Sequence, residues 1–120
     1  MKASLNFFGF IVDDVAETTR YYKEVLGMTV NEQASIPNYY SQFVTQGGAI
    51  FAVFSEFGDA PDVEQRFDAA LEVEDVDATF ADWKAKGVEM VTEITDMPFG
   101  RTFLARTPND HILRVLNFTS

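Results

Sequence analysis

The chain has 120 residues, of which 47% are hydrophobic, and it carries 19 acidic residues against 9 basic ones, with one His and no Cys. This length and composition predict a single folded domain, and the lack of Cys excludes disulfides and thiolate chemistry. The net charge of −10 argues against nucleic acids and anionic membranes as partners, because binding to phosphate groups requires clustered Lys and Arg. The same charge is typical of a soluble protein, and it also favours a cationic ligand.

The apolar residues 5–12 follow Lys2 in the manner of a secretory signal, but Asp13 and Asp14 come directly after them and no small-residue cleavage site is present. No segment approaches the ~18 to 20 apolar residues that are needed to span a bilayer. We therefore expect a cytoplasmic protein.

The first half of the chain begins with a predicted strand at residues 5–12, which is rich in aromatic and β-branched residues. A helix follows, with Asp13 or Asp14 as its N-cap and Gly27 as its end. The apolar stripe of this helix comprises Val15, Thr19, Tyr22 and Leu26.

Three further strands are predicted at residues 28–33, 39–45 and 49–56. The last two are joined by the turn Gln46-Gly47-Gly48. Residues 57–65 are the one stretch with the composition of a linker, and they are too short to tether independent domains.

The second half of the chain repeats this order of elements. A strand at residues 67–73 precedes a helix that Asp75 caps and Gly87 ends, with Val76, Phe80 and Trp83 on its apolar face. Strands are then predicted at residues 88–94, 101–107 and 111–118, with Pro108-Asn109-Asp110 as the last turn.

An internal repeat supports this organisation. Val12-Asp13-Asp14-Val15 recurs as Val73-Glu74-Asp75-Val76, at an offset of 61 residues. The sequence therefore predicts an α+β fold with two tandem β-α-β-β-β modules, at residues 1–60 and 61–120 of one domain. Their sheets are expected to form a curved, half-open mixed sheet around a cleft.

Three stretches resemble the glyoxalase, bleomycin-resistance and extradiol-dioxygenase superfamily, also called vicinal oxygen chelate. They are Val12-Asp13-Asp14-Val15, Tyr21-Tyr22-Lys23-Glu24-Val25-Leu26-Gly27, and Gly100-Arg101-Thr102-Phe103-Leu104-Ala105-Arg106-Thr107-Pro108-Asn109-Asp110-His111. The similarity covers nearly the whole chain. It implies the duplicated fold just described and a homodimer.

Metal-dependent members of this superfamily hold their metal on the first and last strands of each module. The resemblance carries these positions over to Phe7, Val53, Asp68 and Arg114. One carboxylate beside a guanidinium is no site for a catalytic divalent metal, so we expect no metal and no cofactor. Asp68 and Arg114 are expected either to fill the vacated position as an ion pair or to anchor a polar ligand.

Alternation along the strands predicts which side chains line the cleft. If Phe7 faces the cleft, Phe8 and Phe10 pack on the helix. Residues 37–40 and 96–99 are expected to form the rims, the helix aromatics Tyr22, Phe80 and Trp83 to pack in the core, and His111 to be solvated. The predicted ligand-binding residues are Phe7, Tyr40, Phe51, Val53, Asp68, Glu72, Phe99, Ile112 and Arg114.

Three functions remain open at this stage. The favoured one is a metal-independent protein, similar to the bleomycin-resistance branch, that sequesters a cationic aromatic antibiotic. The alternative is a lyase, isomerase or dioxygenase-like enzyme with a shifted metal site, or with Asp68 and Glu72 as an acid–base pair; no nucleophile and base dyad identifies catalytic residues. A structural or regulatory partner with a filled cleft is the third.

Overall fold

The computed structural model describes residues 2–56 and 64–118. Within them the chain forms two compact units, which are described separately. The N-terminal unit comprises residues 7–56 and 66–68, and the C-terminal unit comprises residues 2–6, 64–65 and 69–118. The predicted module boundary at residue 60, and most of the predicted linker, lie outside the described residues. A single domain over residues 1–120 stays a prediction.

The N-terminal unit is a three-stranded sheet with one helix. It contains the last five residues of β1 (Ser4–Ile11), helix α1 (Val15–Glu24), β2 (Tyr40–Phe43) and β3 (Ile50–Phe54). Strand β3 lies in the middle, parallel to β1 and antiparallel to β2.

Helix α1 begins as the sequence predicts. The side chain of Asp14, rather than that of Asp13, accepts a hydrogen bond from the Glu17 amide at 3.0 Å and caps the helix. On the apolar stripe, Thr19 donates to the hydroxyl of Ser41 on β2 at 2.7 Å. Leu26 was wrongly included in this stripe: it lies beyond the helix end and its surface is 52% exposed.

The strand predicted at residues 28–33 is wrong except for one bridge, between Val30 and Phe43. A short 3-10 helix, Glu32–Ala34, replaces its end. Here the Ser35 hydroxyl donates to the Asn31 carbonyl at 2.7 Å and accepts from the Gln42 amide at 3.0 Å. The Ser35 hydroxyl thus bonds to backbone groups that would otherwise pair with a neighbouring strand, and such side-chain bonds compete with regular secondary structure.

The C-terminal unit is a larger sheet with one helix. Strand β8 pairs with β4 in parallel and with β7 in antiparallel fashion, and β5 and β6 both pair antiparallel with β7. The elements are the last four residues of β4 (Phe67–Glu72), α2 (Val76–Ala85), β5 (Glu89–Met90), β6 (Thr95–Met97), β7 (Gly100–Thr107) and β8 (His111–Phe118).

One strand of this unit is shorter than predicted and another was missed. The strand expected at residues 88–94 is reduced to β5, because the Val91 and Thr92 amides both donate to the carbonyl of Leu104. Two residues opposite one is the pattern of a β-bulge, which interrupts a strand. The chain then pairs again as β6, within residues that the sequence assigned to a loop.

Each helix packs on its sheet through aromatic side chains. Phe103 on β7 is fully buried and meets the edges of Phe80 at 5.1 Å and Trp83 at 5.8 Å between ring centroids. In the N-terminal unit the Tyr22 ring lies 5.2 Å from that of Phe43. The prediction that the helix aromatics form the core is confirmed.

Helix α2 is capped by Asp75, which accepts from the Ala78 amide at 2.9 Å, and it is followed by Gly87, whose φ of +87° suits glycine. The α+β class is confirmed, and each half begins with a strand followed by a helix. Within the described residues the order is β-α-β-β in the first half and β-α-β-β-β-β in the second, rather than the predicted β-α-β-β-β in both. In the part of the chain that the structure describes, no helix has the length and apolar character to cross a membrane.

Candidate functional site

Each sheet has two sides, which we call the helix face, covered by α1 or α2, and the far face, on the opposite side. Paired residues on neighbouring strands point to the same side, and successive residues along a strand alternate. The pairing register therefore decides which predicted site residues share a face.

In the N-terminal unit the register separates residues that were predicted to lie together. The Phe51 ring lies 5.6 Å from that of Tyr22 on α1, so Phe51 is on the helix face. Val53, two residues further along β3, pairs with Ser41, which bonds to α1. Because Phe7 pairs with Ile50 rather than with Phe51, Phe7 is on the far face. The prediction that Phe51 and Val53 share the face of Phe7 is wrong.

The far face of the N-terminal unit is aromatic. The ring of Phe54 lies 6.0 Å from that of Phe7 and 6.0 Å from that of Tyr40. The Tyr40 hydroxyl donates to Gln42 Oε1 at 2.9 Å, and burial raises the pKa of Tyr40 to about 12. This face therefore combines flat apolar rings with a phenol that stays neutral, and so able to donate, at physiological pH.

Gly9 permits this arrangement. A Cβ at this position would overlap the Phe54 ring, so the ring can rest on the backbone of β1 only because the residue is glycine. A substitution here would displace an aromatic member of the far face.

In the C-terminal unit the register agrees with the prediction. Arg114 pairs with Ala70 on β4 and with Leu104 on β7, away from the residues that pack on α2. By the same alternation Glu72 and Ile112 lie on the far face with it.

Arg114 is a buried cation, only 2% exposed. Its Nη1 donates to Thr102 Oγ1 at 3.1 Å, and its guanidinium carbon lies 5.3 Å from the centre of the Phe99 ring. Thr102 in turn donates to the carbonyl of Val115 at 2.8 Å. A guanidinium over an aromatic face gains a cation–π interaction, worth about 2 kcal/mol when both groups are desolvated.

The other predicted residues have these surroundings. Glu72 Oε1 accepts from Asn6 Nδ2 at 2.7 Å. The amide and carbonyl of Ile112 are both bonded to the side chain of Gln65, at 2.9 and 2.8 Å. Asp68 lies on β4 and is 8% exposed. Its predicted ion pair with Arg114 stays a prediction, and so does the ligand-binding role of all nine residues.

Both predicted rims are tight turns rather than open loops. The Ile36 amide donates to the Tyr40 carbonyl at 2.8 Å, and the Tyr40 amide returns a bond at 2.9 Å, so that Tyr39 stands out with 65% exposure. At the other predicted rim, β6 and β7 form a hairpin with Pro98-Phe99 at its tip. His111 is exposed, as expected.

Sequence reasoning missed the polar partners Thr102, Gln42 and Asn6. Alternation could have found Thr102, since it is two residues from Leu104, the partner of Arg114. Alternation also puts Gln42 on the face of Tyr40, two residues away on β2. Nothing in the sequence pattern indicates Asn6, because its contact with Glu72 depends on how the strands are arranged.

The residues at the superfamily's metal positions do not fit a divalent metal. Phe7 and Val53 offer only carbon atoms, and they lie on opposite faces. Arg114 has no lone pair to donate, which leaves Asp68 as the one oxygen ligand. Across residues 2–56 and 64–118, no three His, Cys, Asp or Glu side chains group closely enough to hold a metal ion.

Comparison with known proteins agrees with this fold. Residues 4–115 match the model of the Glyoxalase/Bleomycin resistance protein/Dioxygenase superfamily. The phenazine antibiotic resistance protein EhpR of Enterobacter agglomerans is 30% identical over 112 residues, which cover 87% of this chain and 84% of that protein.

Solved structures show the same architecture at low identity. A superfamily member from Vibrio splendidus superposes with a TM-score of 0.68 at 12% identity, covering 97% of this chain and 99% of its own. Methylmalonyl-CoA epimerase from Mycobacterium tuberculosis gives a TM-score of 0.70 at 18% identity, with 97% and 88% covered. The chain belongs to the glyoxalase/bleomycin resistance protein/dioxygenase superfamily.

Proposed function

We propose that this protein is a metal-independent binding protein that confers resistance by sequestering a planar aromatic antibiotic, as a homodimer in the cytoplasm. The observation that carries the proposal is that Phe7 and Arg114, at positions where the resemblance implies metal ligands, offer no atom that binds a divalent metal. The far faces of both units instead carry aromatic rings and a few polar groups. Small-molecule sites have this composition.

The resemblance to a phenazine antibiotic resistance protein supports a flat, fused-ring ligand. Such a ring can stack on Tyr40 or Phe99, which lie on the far faces of their own units. Aromatic pairs of this kind add about 0.5–1.5 kcal/mol each beyond the area that they bury. The Tyr40 hydroxyl can supply one directional hydrogen bond to a ring nitrogen by turning its proton from Gln42 Oε1 to the ligand.

The net charge of the protein indicates the charge of the ligand. A net charge of −10 raises the local concentration of cations and disfavours anions, so the ligand is cationic or neutral. Three related probes separate these cases: phenazine, the N-methylphenazinium cation and phenazine-1-carboxylate.

The test is thermal unfolding in the presence of each probe. A ligand that binds only the folded state at one hundred times its Kd stabilises it by about 2.7 kcal/mol, which raises the Tm by roughly 10 °C. We expect the largest rise with N-methylphenazinium and a smaller one with phenazine. If all three probes leave the Tm unchanged, the proposal is wrong.

Variants locate the binding. Phe99→Ala and Tyr40→Phe test a ring and a hydroxyl of the far faces, and Tyr21→Ala, an exposed tyrosine on α1, is the matched control. The first two are expected to reduce the thermal shift, and the control to leave it intact. Native mass spectrometry of the same samples reports the oligomeric state, with a dimer expected and a monomer contradicting that part of the proposal.

A further inference from the structure

The hairpin of β6 and β7 has side chains on both faces of the C-terminal unit: Arg101 lies on the helix face and Phe99 on the far face. Its tip residue Phe99 lies over the Arg114 guanidinium on the far face. Next to it, Gly100 has a φ of +148°, and a Cβ there would overlap the carbonyl oxygen of Asn117. The backbone at the tip is thus packed closely against β8 on the β7 side.

In addition to its pairing with β7, the β6 side is bound by the guanidinium of Arg101. Arg101 on β7 binds Asp77 with two hydrogen bonds, Nη2 to Oδ1 at 2.8 Å and Nε to Oδ2 at 3.2 Å. Its Nη1 donates to Asp96 Oδ1 on β6 at 2.9 Å. Asp77 is in the first turn of α2, so Arg101 ties the hairpin to the helix. The geometry is bidentate on one carboxylate, which gives orientation as well as attraction.

We propose that Arg101 is a positioning residue that, through the β6–β7 hairpin, sets how fast a ligand enters and leaves the far face at Phe99. This inference rests on the proposed binding function. Arg101 lies on the helix face, one residue away from the tip's glycine, so it acts on the position of Phe99 without contacting the ligand itself.

The ion pairs of Arg101 with Asp77 and Asp96, which we call the β6 clamp, are suited to controlling the motion of the hairpin. All three side chains are substantially exposed, and exposed ion pairs contribute little to global stability. We expect a larger effect on local opening, since β6 has only three residues and lies beside β7 alone among the described strands. Loosening the clamp is therefore expected to raise the rate of hairpin opening while the rest of the sheet stays folded.

Strand β7 supplies a matched control. Arg106 is exposed to a similar degree and also faces two carboxylates, with Nε 2.8 Å from Glu89 and Nη1 3.6 Å from Asp110. It lies at the other end of the strand, away from the hairpin. Because Arg106 pairs with Ile112, it is on the far face, so it is the control for hydrogen exchange at residues 95–100. Arg106→Gln removes the same charge and a similar number of ion pairs without touching the β6 clamp.

The experiment compares Arg101→Gln, Arg101→Lys and Arg106→Gln by amide hydrogen exchange and by stopped-flow binding of N-methylphenazinium. In Arg101→Gln we expect exchange at residues 95–100 and both binding rates to rise about threefold or more, with the Kd changed by less than about twofold. Arg101→Lys is expected to recover part of the effect. In the unmodified protein, 1 M salt is expected to raise hydrogen exchange at residues 95–100, because the Debye length falls to ~3 Å.

The outcomes separate the two proposals. If Arg101→Gln and Arg106→Gln show the same exchange at residues 95–100 and the same rates, the positioning role is wrong and the binding function stands. An Arg101→Gln variant that changes the Kd as much as the rates would mean that Arg101 acts in the site itself, which also overturns the inference. If none of the phenazine probes binds the unmodified protein, the proposed function fails, and the gating role fails with it.

Discussion

Removing the Thr102 hydroxyl tests how much its hydrogen bond with the buried Arg114 guanidinium stabilises the fold. Thr102 is 1% exposed, accepts from Arg114 Nη1 at 3.1 Å and donates to the Val115 carbonyl at 2.8 Å. Thr102→Val keeps the shape of the side chain and deletes both bonds. A hydrogen bond to a charged group contributes about 1.5–3 kcal/mol, and the added methyl group returns about 0.8 kcal/mol. Counting the second, neutral bond as well, we expect a net loss of about 2–3 kcal/mol.

The assay is urea unfolding followed by the fluorescence of Trp83, the single tryptophan, which packs on Phe103 of the same sheet. The expected loss lowers the urea midpoint with no change in the m value, and it lowers the Tm by about 8–12 °C. Thr107→Val, at the end of the same strand, removes an exposed bond to the His111 carbonyl and should change stability by less than about 0.5 kcal/mol. If the two variants are equally stable, the hydroxyl does not support Arg114 and the reasoning is refuted.

Three further predictions follow from single positions. Gly100→Ala should destabilise the protein more than Gly47→Ala in thermal unfolding, because both glycines have positive φ but only Gly100 lacks room for a Cβ. The pKa of Asp77 is lowered from 3.8, chiefly by its hydrogen bond from Arg101, so this contribution to stability is present above about pH 4 and is lost as the pH falls through the lowered value. Asp77→Asn should accordingly reduce the slope of stability against pH in that acid range, and an unchanged slope would contradict the assignment. Phe51→Ala should lower the free energy of unfolding in urea by about 2 kcal/mol or more, since Phe51 packs on α1. An unchanged free energy of unfolding would contradict the assignment of Phe51 to the helix face.

Local signals in the sequence predicted the elements of this fold well where they do not depend on pairing. Asp14 and Asp75 cap their helices because a short acidic side chain directly before a helix can accept a hydrogen bond from one of its first amides. The same signals did not predict that β6 exists or that residues 28–33 are largely irregular. Both depend on bonds to distant residues, the first to β7 and the second to Gln42.

The pairing register agrees with the predicted faces in the C-terminal unit and only in part in the N-terminal unit. On β4 and β8, the two-residue period of a strand groups Glu72 with Asp68 and Arg114 with Ile112, and the observed register puts Glu72 and Arg114 on one face. Strand β3 reads Ile-Phe-Ala-Val-Phe and shows no alternation of apolar and polar residues, because it carries apolar side chains on both of its faces. Its register, and with it the side on which Phe51 lies, is decided by pairing with β1, and a shift of one residue inverts the assignment.

The central claim is that this chain binds a planar aromatic ligand without a metal. The most direct measurement is a calorimetric titration with N-methylphenazinium, made on the protein before and after exhaustive dialysis against a chelator. We expect the same Kd and stoichiometry in both samples, and we expect that adding divalent cations after dialysis changes neither value. Binding that disappears on chelation and returns with a divalent metal would contradict the account, and it would show that the residues at the superfamily's metal positions are not the ones that matter.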